Sequence, residues 1–150
     1  MKTLMIIFIG TNLLSIPIIK NRSHDHNIKK EITWSDFVEA VIYVESRGND
    51  LAYCENEQAV GVLQIRPIMV REVNRILQKH KSNLRFTLDD RWDRQKSIDM
   101  FDIMAEEIDC CIGLSQMEFF EIVARKWNGG PSGHKKTATI EYWNKIKKQL

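Results

Sequence analysis

The carboxylate of Glu45 has the sequence position best suited to acid–base chemistry. It follows Ile42, Tyr43 and Val44, so it lies in the last turn of a predicted amphipathic helix, where the helix dipole opposes a negative charge. Burial of the carboxyl group raises its pKa further, toward the near-neutral range that a general acid needs. By position alone, an exposed glutamate at a frayed helix end is the simpler interpretation.

Polar side chains gather at three glycine-containing breaks between otherwise regular helical patterns. The breaks are residues 45–48 (Glu-Ser-Arg-Gly), 59–65 (Ala-Val-Gly-Val-Leu-Gln-Ile) and 127–130 (Trp-Asn-Gly-Gly). Binding and catalytic residues concentrate in loops that a rigid scaffold positions. We therefore expect these three breaks to line one cleft.

Apolar residues at helical spacing predict the elements that hold these breaks. Capping boxes begin the helices after Thr33 and Ser115, Pro67 begins another, and Gly48 is expected to end the first. Residues 49–61 lack helical periodicity and are predicted as a loop, with a short extended piece at 62–65. The predicted helices span about 34–46, 67–79, 94–111, 116–127 and 137–148.

Length and composition agree with one helical domain. The chain has 150 residues, of which 43% are hydrophobic, and it contains 7 glycines and 3 prolines. These values are ordinary for a globular domain and disfavour collagen-like, low-complexity and turn-rich β structures. The sequence predicts an all-α domain of about five helices, with a very short extended or β segment near the cleft.

The small positive charge belongs to the N-terminal segment. Of 22 basic and 20 acidic residues, five basic and one acidic lie in residues 1–30, which leaves 17 basic and 19 acidic in the remainder. That near-neutral body argues against a nucleic-acid-binding domain. An uncharged, mainly apolar run between Lys2 and Lys20 is typical of an export signal, and an uncleaved membrane anchor or a buried element is the alternative.

The remaining organisation follows from this segment. We expect a signal peptide or anchor at 1–19, a polar linker at 20–31 and the helical domain at 32–150. Cys54, Cys110 and Cys111 are an odd number and predict no closed disulfide set, so they leave the compartment open. The sequence shows no metal-ligand cluster and no nucleotide motif, which favours a reaction without metal or cofactor.

Four short motifs resemble those of the lytic transglycosylases, in the order in which that family has them over about residues 33–147. VESRGN resembles the family's Glu-Ser-x-Gly motif, AVGVLQIRP its Gly and Gln before a Pro-started helix, ARKWNGGPSG its Ala-Tyr-Asn-x-Gly motif, and TATIEYWNKI its final Tyr motif. Each motif is weak alone, but the ordered set is specific. The resemblance implies a lysozyme-like α domain that cleaves peptidoglycan.

The resemblance also implies roles at individual positions. Glu45 corresponds to the family's single acid/base, and Ser46 to a neighbour that orients substrate or water. Gln64 corresponds to a side chain that contacts substrate at the cleft wall. Tyr142 corresponds to the tyrosine whose hydroxyl holds the catalytic glutamate, with a core aromatic residue as the alternative.

The third motif supplies the other cleft wall. Asn128 and Gly129 correspond to a loop that closes over the sugar, and turn formation is their alternative role. Trp127 stands where the family usually has tyrosine, so it keeps a surface for stacking on sugar but lacks the phenolic hydroxyl. Ala138 and Thr139 stand where Glu-Thr is usual.

Three functions remain open at this point. A lytic transglycosylase uses one glutamate and forms 1,6-anhydro ends, because the C6 hydroxyl of the substrate attacks C1. A goose-type muramidase cleaves the same bond by hydrolysis and uses a second acidic residue to direct the water. Asp50, Glu55 and Glu57 lie in the loop that would supply this second acid. A third alternative is a degenerate module that binds glycan or serves as a scaffold in an envelope or virion assembly.

The resemblance also sets expectations for partners and place. The partner would be peptidoglycan glycan strands, with no nucleic acid, and residues 1–19 would attach the chain to a membrane if they are not cleaved. An envelope or phage assembly could recruit the domain. We expect export to the periplasm or cell envelope, with association with a virion as the alternative.

Overall fold

A computed structural model describes residues 31–108 and 113–150, which belong to one compact unit, Glu31–Leu150. The predicted export segment, most of the predicted linker, Cys110 and Cys111 lie outside the described residues. The described part is all-α with a two-stranded antiparallel sheet, as predicted. Its elements are α1 (Trp34–Ser46), β1 (Tyr53–Cys54), β2 (Ala59–Val60), α2 (Pro67–Lys79), α3 (Arg94–Glu106), α4 (Gln116–Gly129) and α5 (Ile140–Lys147).

Helix α1 has the predicted bounds and carries Glu45 in its last turn. Its N-terminus has the predicted capping box, in which the backbone N–H of Asp36 donates to Thr33 Oγ1 at 3.1 Å. At the other end, Arg47 adopts a left-handed conformation with φ 55° and donates its N–H to the carbonyl of Tyr43. Gly48 follows with φ 78°. The two positive φ values turn the chain sharply away from the helix directly after Glu45.

The connection between α1 and α2 differs from the prediction. Residues 49–61 are not a plain loop, because Tyr53 pairs with Val60 and Cys54 with Ala59. The extended piece predicted at 62–65 is instead a tight turn, after which Ile65 bridges back to Val60. Two-residue strands carry no alternation that a sequence can reveal, which explains the error.

A close backbone approach fixes the position of this turn. Gly61 has φ 75°, and a Cβ at this position would lie 2.0 Å from the carbonyl oxygen of Arg91. The guanidinium group of Arg91 is buried and donates to the carbonyls of Gln58 and Ile65 at 2.9 and 3.0 Å. The segment before α3 therefore packs against the hairpin and holds it through these two hydrogen bonds.

The later helix bounds correct three predictions. Helix α3 ends at Glu106 rather than at residue 111, and Glu107, the next residue, pairs with Lys79 at the end of α2 and with His80 directly after it. Helix α4 continues through Gly129, and Gly130 takes the positive φ of 78°. The last predicted helix begins as a 3₁₀ turn at Thr137–Thr139, and α5 proper starts at Ile140.

Aromatic side chains from three helices form the centre of the core. Phe37 of α1 stacks on Phe120 of α4 with ring centroids 4.3 Å apart. Phe101 of α3 meets Trp127 of α4 edge to face at 4.8 Å. These contacts join α1, α3 and α4. Among residues 31–108 and 113–150, no helix is both long and apolar enough to cross a bilayer.

Candidate active site

Glu45 lies in a polar pocket that all three predicted breaks help to form. The pocket has a volume of about 230 Å³. Its walls come from the end of α1, the β-hairpin, the turn before α2 and the end of α4. They include Glu45, Glu57, Gln64, Arg66, Trp127 and Asn128. The predicted cleft therefore exists, and five further side chains with polar groups line it together with Glu45.

The pKa of the Glu45 carboxyl group is raised from 4.5 to about 7, chiefly because burial removes water from the charged form. Side-chain hydrogen bonds from Tyr142 and Trp127 and the charge of Arg66 work against this rise, while the charge of Glu57 adds to it. A carboxyl group with this pKa is partly protonated at neutral pH. It can therefore donate a proton and later accept one.

Tyr142 of α5 holds the Glu45 carboxyl group, as the resemblance implies. Its hydroxyl donates to Glu45 Oε1 at 2.6 Å, although the two residues are 97 positions apart. Burial, together with the nearby carboxylate, raises the pKa of Tyr142 well above 10, so this hydroxyl remains a donor at neutral pH. The contact fixes one oxygen of Glu45.

Trp127 does not form the exposed surface for stacking on sugar that the sequence predicts. Only 6% of its surface is exposed, and its ring packs edge to face on Phe101 in the core. Its side chain instead forms a hydrogen bond with Glu45, for which the indole N–H is the donor. Trp127 thus supplies a polar donor beside the acid, although it lacks the phenolic hydroxyl.

Ser46 and Gln64 act on the backbone of the loop that forms the pocket wall. The Ser46 hydroxyl donates to the carbonyl of Val62 at 2.7 Å and not into the pocket. The Gln64 amide donates to the carbonyls of Ala52 and Gly61 at 3.2 and 3.0 Å. Gln64 also has φ 48°, an uncommon conformation for a residue with a side chain. Both residues hold the wall in place, and Gln64 also lines the pocket.

Asn128 and Gly129 belong to the last turn of α4 rather than to a loop. Asn128 is exposed and lines the pocket. Gly129 packs closely on the segment before α5, where a Cβ would meet Thr139 Cγ2 at 2.6 Å. Thr139 is buried and donates to the carbonyl of Gly133 at 2.7 Å. Gly129 therefore serves packing, and Asn128 is the side chain available to a ligand.

The three candidates for a second carboxylate have different surroundings. Asp50 forms an ion pair with Arg94 at 2.9 Å, and Glu55 is exposed without lining the pocket. Glu57 lines the pocket with Glu45 and lies 3.6 Å from Arg66 Nη1. Glu57 is thus the acid of this loop that shares the site.

Sequence reasoning missed Arg66, Cys54 and Met69 as pocket residues. The signal available for Arg66 is its position in the sequence, directly before Pro67 and two residues after Gln64. Cys54 has a free thiol. Within residues 31–108 and 113–150, no three His, Cys, Asp or Glu side chains come together as a metal site would require.

Replacing Tyr142 with phenylalanine is expected to move the pH dependence of any reaction that uses Glu45. The hydroxyl lowers the pKa of Glu45, so its loss raises that pKa above about 7. The alkaline limb of kcat/KM, where the acid loses its proton, then moves to higher pH. Tyr43→Phe, at an exposed position of α1, is the control and leaves the profile unchanged.

A short segment of the chain is similar to a lysozyme. Over 27 residues, which are 18% of this chain and 20% of the relative, it is 67% identical to invertebrate-type lysozyme 6 from Caenorhabditis elegans. No protein-family model matches the chain. No solved structure matches it either. The similarity supports a lysozyme-like relationship over that short segment and goes no further.

Proposed function

We propose that this protein cleaves the β-1,4 bond between N-acetylmuramic acid and N-acetylglucosamine in peptidoglycan as a lytic transglycosylase. The observation that carries the proposal is the Glu45 carboxyl group, which has a pKa of about 7 in a polar pocket and accepts a hydrogen bond from Tyr142. The four ordered motifs and the short similarity to a lysozyme support the same class of substrate.

In the proposed reaction, Glu45 acts first as an acid and then as a base. Its proton passes to the glycosidic oxygen as the bond from that oxygen to C1 breaks, and N-acetylglucosamine leaves with a free C4 hydroxyl. The N-acetyl group of the muramyl residue assists at C1. The Glu45 carboxylate then takes the proton of the C6 hydroxyl, whose oxygen bonds to C1. The product is a 1,6-anhydro ring, and Glu45 regains its proton without consuming water.

The hydrogen bonds around Glu45 support both halves of this cycle. Donors stabilise the carboxylate after it gives up its proton, and burial favours its reprotonation. A pKa near 7 balances the two states, which suits a group that must act in both directions. The second oxygen, which Tyr142 does not hold, is the one we assign to proton transfer.

One observation favours hydrolysis as the second candidate function. Glu57 lines the same pocket, and glycosidases that use water require a second carboxylate. In that reaction Glu57 would orient a water toward C1. Its side chain is 60% exposed and is held only by a long ion pair with Arg66, so it has no fixed position from which to orient a water, and this favours the first candidate.

Mass spectrometry of digested peptidoglycan tests the proposal. We expect 1,6-anhydro-muropeptides from the parent protein, and Glu57→Gln should keep most of that activity. Hydrated reducing ends together with inactivity of Glu57→Gln would establish hydrolysis instead. No soluble product would leave the binding or scaffolding module as the function. Glu55→Gln, on the same hairpin but outside the pocket, is the matched control.

The substrate implies a place outside the cytoplasm. We therefore propose export to the periplasm or cell envelope through residues 1–19, as a cleaved signal or a retained anchor. N-terminal sequencing of the exported protein distinguishes the two, since an anchor keeps Met1 and a signal does not.

A further inference from the structure

Arg66 brings a positive charge to the wall of the polar pocket. It occupies the turn between the β-hairpin and α2, and it lines the pocket together with Glu45. It also lines a neighbouring, mainly apolar pocket of about 400 Å³ between α2, α3 and α4. Its charge lowers the pKa of Glu45, which is consistent with a guanidinium group close to the reacting acid.

The ion pair that Arg66 forms is weak compared with others in the protein. Arg66 Nη1 lies 3.6 Å from Glu57 Oε2, and the two side chains are 35% and 60% exposed. By contrast, Arg125 lies 2.6 Å from Glu121 and is 13% exposed. Exposed ion pairs contribute little to stability, so a ligand carboxylate can replace Glu57 at little cost.

We propose that Arg66 is a specificity-determining residue that binds a carboxylate carried by the muramyl residue at the scissile bond. This inference rests on the proposed function. A guanidinium group presents a planar fork of donors that matches a carboxylate with two hydrogen bonds. Because Arg66 shares the pocket with Glu45, the carboxylate it binds must lie close to the bond that Glu45 protonates.

Two groups on peptidoglycan meet this requirement. The lactyl ether of N-acetylmuramic acid is itself a carboxylate in strands without peptide, and in peptide-bearing strands the carboxylates of the stem follow it. An N-acetylglucosamine oligomer has neither group. Arg66 therefore separates anionic peptidoglycan from neutral chitin, although both polymers present similar rings and N-acetyl groups to the pocket.

Calorimetric titration of the Glu45→Gln protein tests this proposal, because that protein binds glycans without cleaving them. The three ligands are chitohexaose, peptide-free MurNAc–GlcNAc strands and peptide-bearing strands of the same length. In the Glu45→Gln protein, the additional substitution Arg66→Gln is expected to weaken binding of the anionic strands about tenfold. It should change the affinity for chitohexaose by less than about twofold. Arg66→Lys, which keeps the charge but not the fork, should recover part of the loss.

Arg71→Gln is the matched control, because Arg71 is an exposed arginine of α2, the helix that Arg66 directly precedes, and it does not line the pocket. It should leave all three affinities unchanged. Weakening confined to peptide-bearing strands assigns the carboxylate to the stem, and weakening confined to peptide-free strands assigns it to the lactyl group. Equal weakening of both strands shows that Arg66 binds whichever of the two carboxylates a strand carries. Equal weakening of chitohexaose and the strands, or no weakening at all, overturns the proposal. If the Glu45→Gln protein binds none of the glycans, the proposed function itself fails.

Discussion

Replacing Glu45 with glutamine is expected to reduce peptidoglycan cleavage by about 10²- to 10⁴-fold, the usual contribution of a general acid or base. Glutamine keeps the size of the side chain and can still accept the hydrogen bond from Tyr142, but it has no proton to give to the glycosidic oxygen. Release of soluble muropeptides from purified sacculi measures the loss. Far-ultraviolet circular dichroism should show unchanged helicity.

The matched control for this substitution is Glu39→Gln, at an exposed position of α1. It removes the same charge from the same helix and should keep full activity. Sacculus clearing by Glu45→Gln at the rate of the parent protein would remove Glu45 from the mechanism. Equal losses in both variants would point to the net charge of the helix rather than to acid catalysis.

The same glutamine substitution is expected to stabilise the fold at alkaline pH. The pKa of Glu45 is about 7 in the folded protein and 4.5 as its reference value, so the folded chain holds this proton more tightly than the unfolded chain does. The free energy of unfolding is therefore highest below about pH 4.5 and falls as the pH rises to about 7. The loss amounts to about 3 kcal/mol.

Glutamine cannot ionise, so Glu45→Gln should avoid this loss. We expect the variant to be more stable than the parent by up to about 3 kcal/mol at pH 8 and to match it near pH 4. Urea unfolding at the two pH values measures the difference. A difference that is the same at both pH values would show that Glu45 does not ionise in a buried position.

The two predictions together separate catalysis from folding. A protein that loses its activity while it gains stability has not lost activity by unfolding. Functional sites commonly hold groups in states that cost stability, because the same burial that makes a carboxyl group a useful acid makes its charged form unfavourable.

Much of the helical framework could be predicted from the sequence. The bounds of α1 and α2 follow from Thr33, Pro67 and apolar residues at helical spacing, and the structure confirms them. The sequence predicts the end of α4 too early, since Asn128 and Gly129 both weaken helices. Here Gly129 packs against Thr139, so a tertiary contact extends the helix beyond its local preference.

The candidate site was less accessible to sequence reasoning. Glu45 has a local signal, because it stands where an apolar helix ends. Its contact with Tyr142 crosses 97 positions and has no local signal, so that pairing followed only from the resemblance. The orientation of Trp127 depends on Phe101, and the position of Arg66 depends on how the hairpin folds back before α2.

The anchoring of the hairpin has a consequence for the evolution of this pocket. Side chains from outside the strands, those of Ser46, Gln64 and Arg91, donate to main-chain carbonyls of residues 52–65. Every amino acid provides such a carbonyl, so placement of the hairpin does not depend on which side chains its exposed tip carries. Substitutions at Glu55, Asn56 and Glu57 can therefore accumulate and retune the choice of glycan, while the acid and its wall keep their positions.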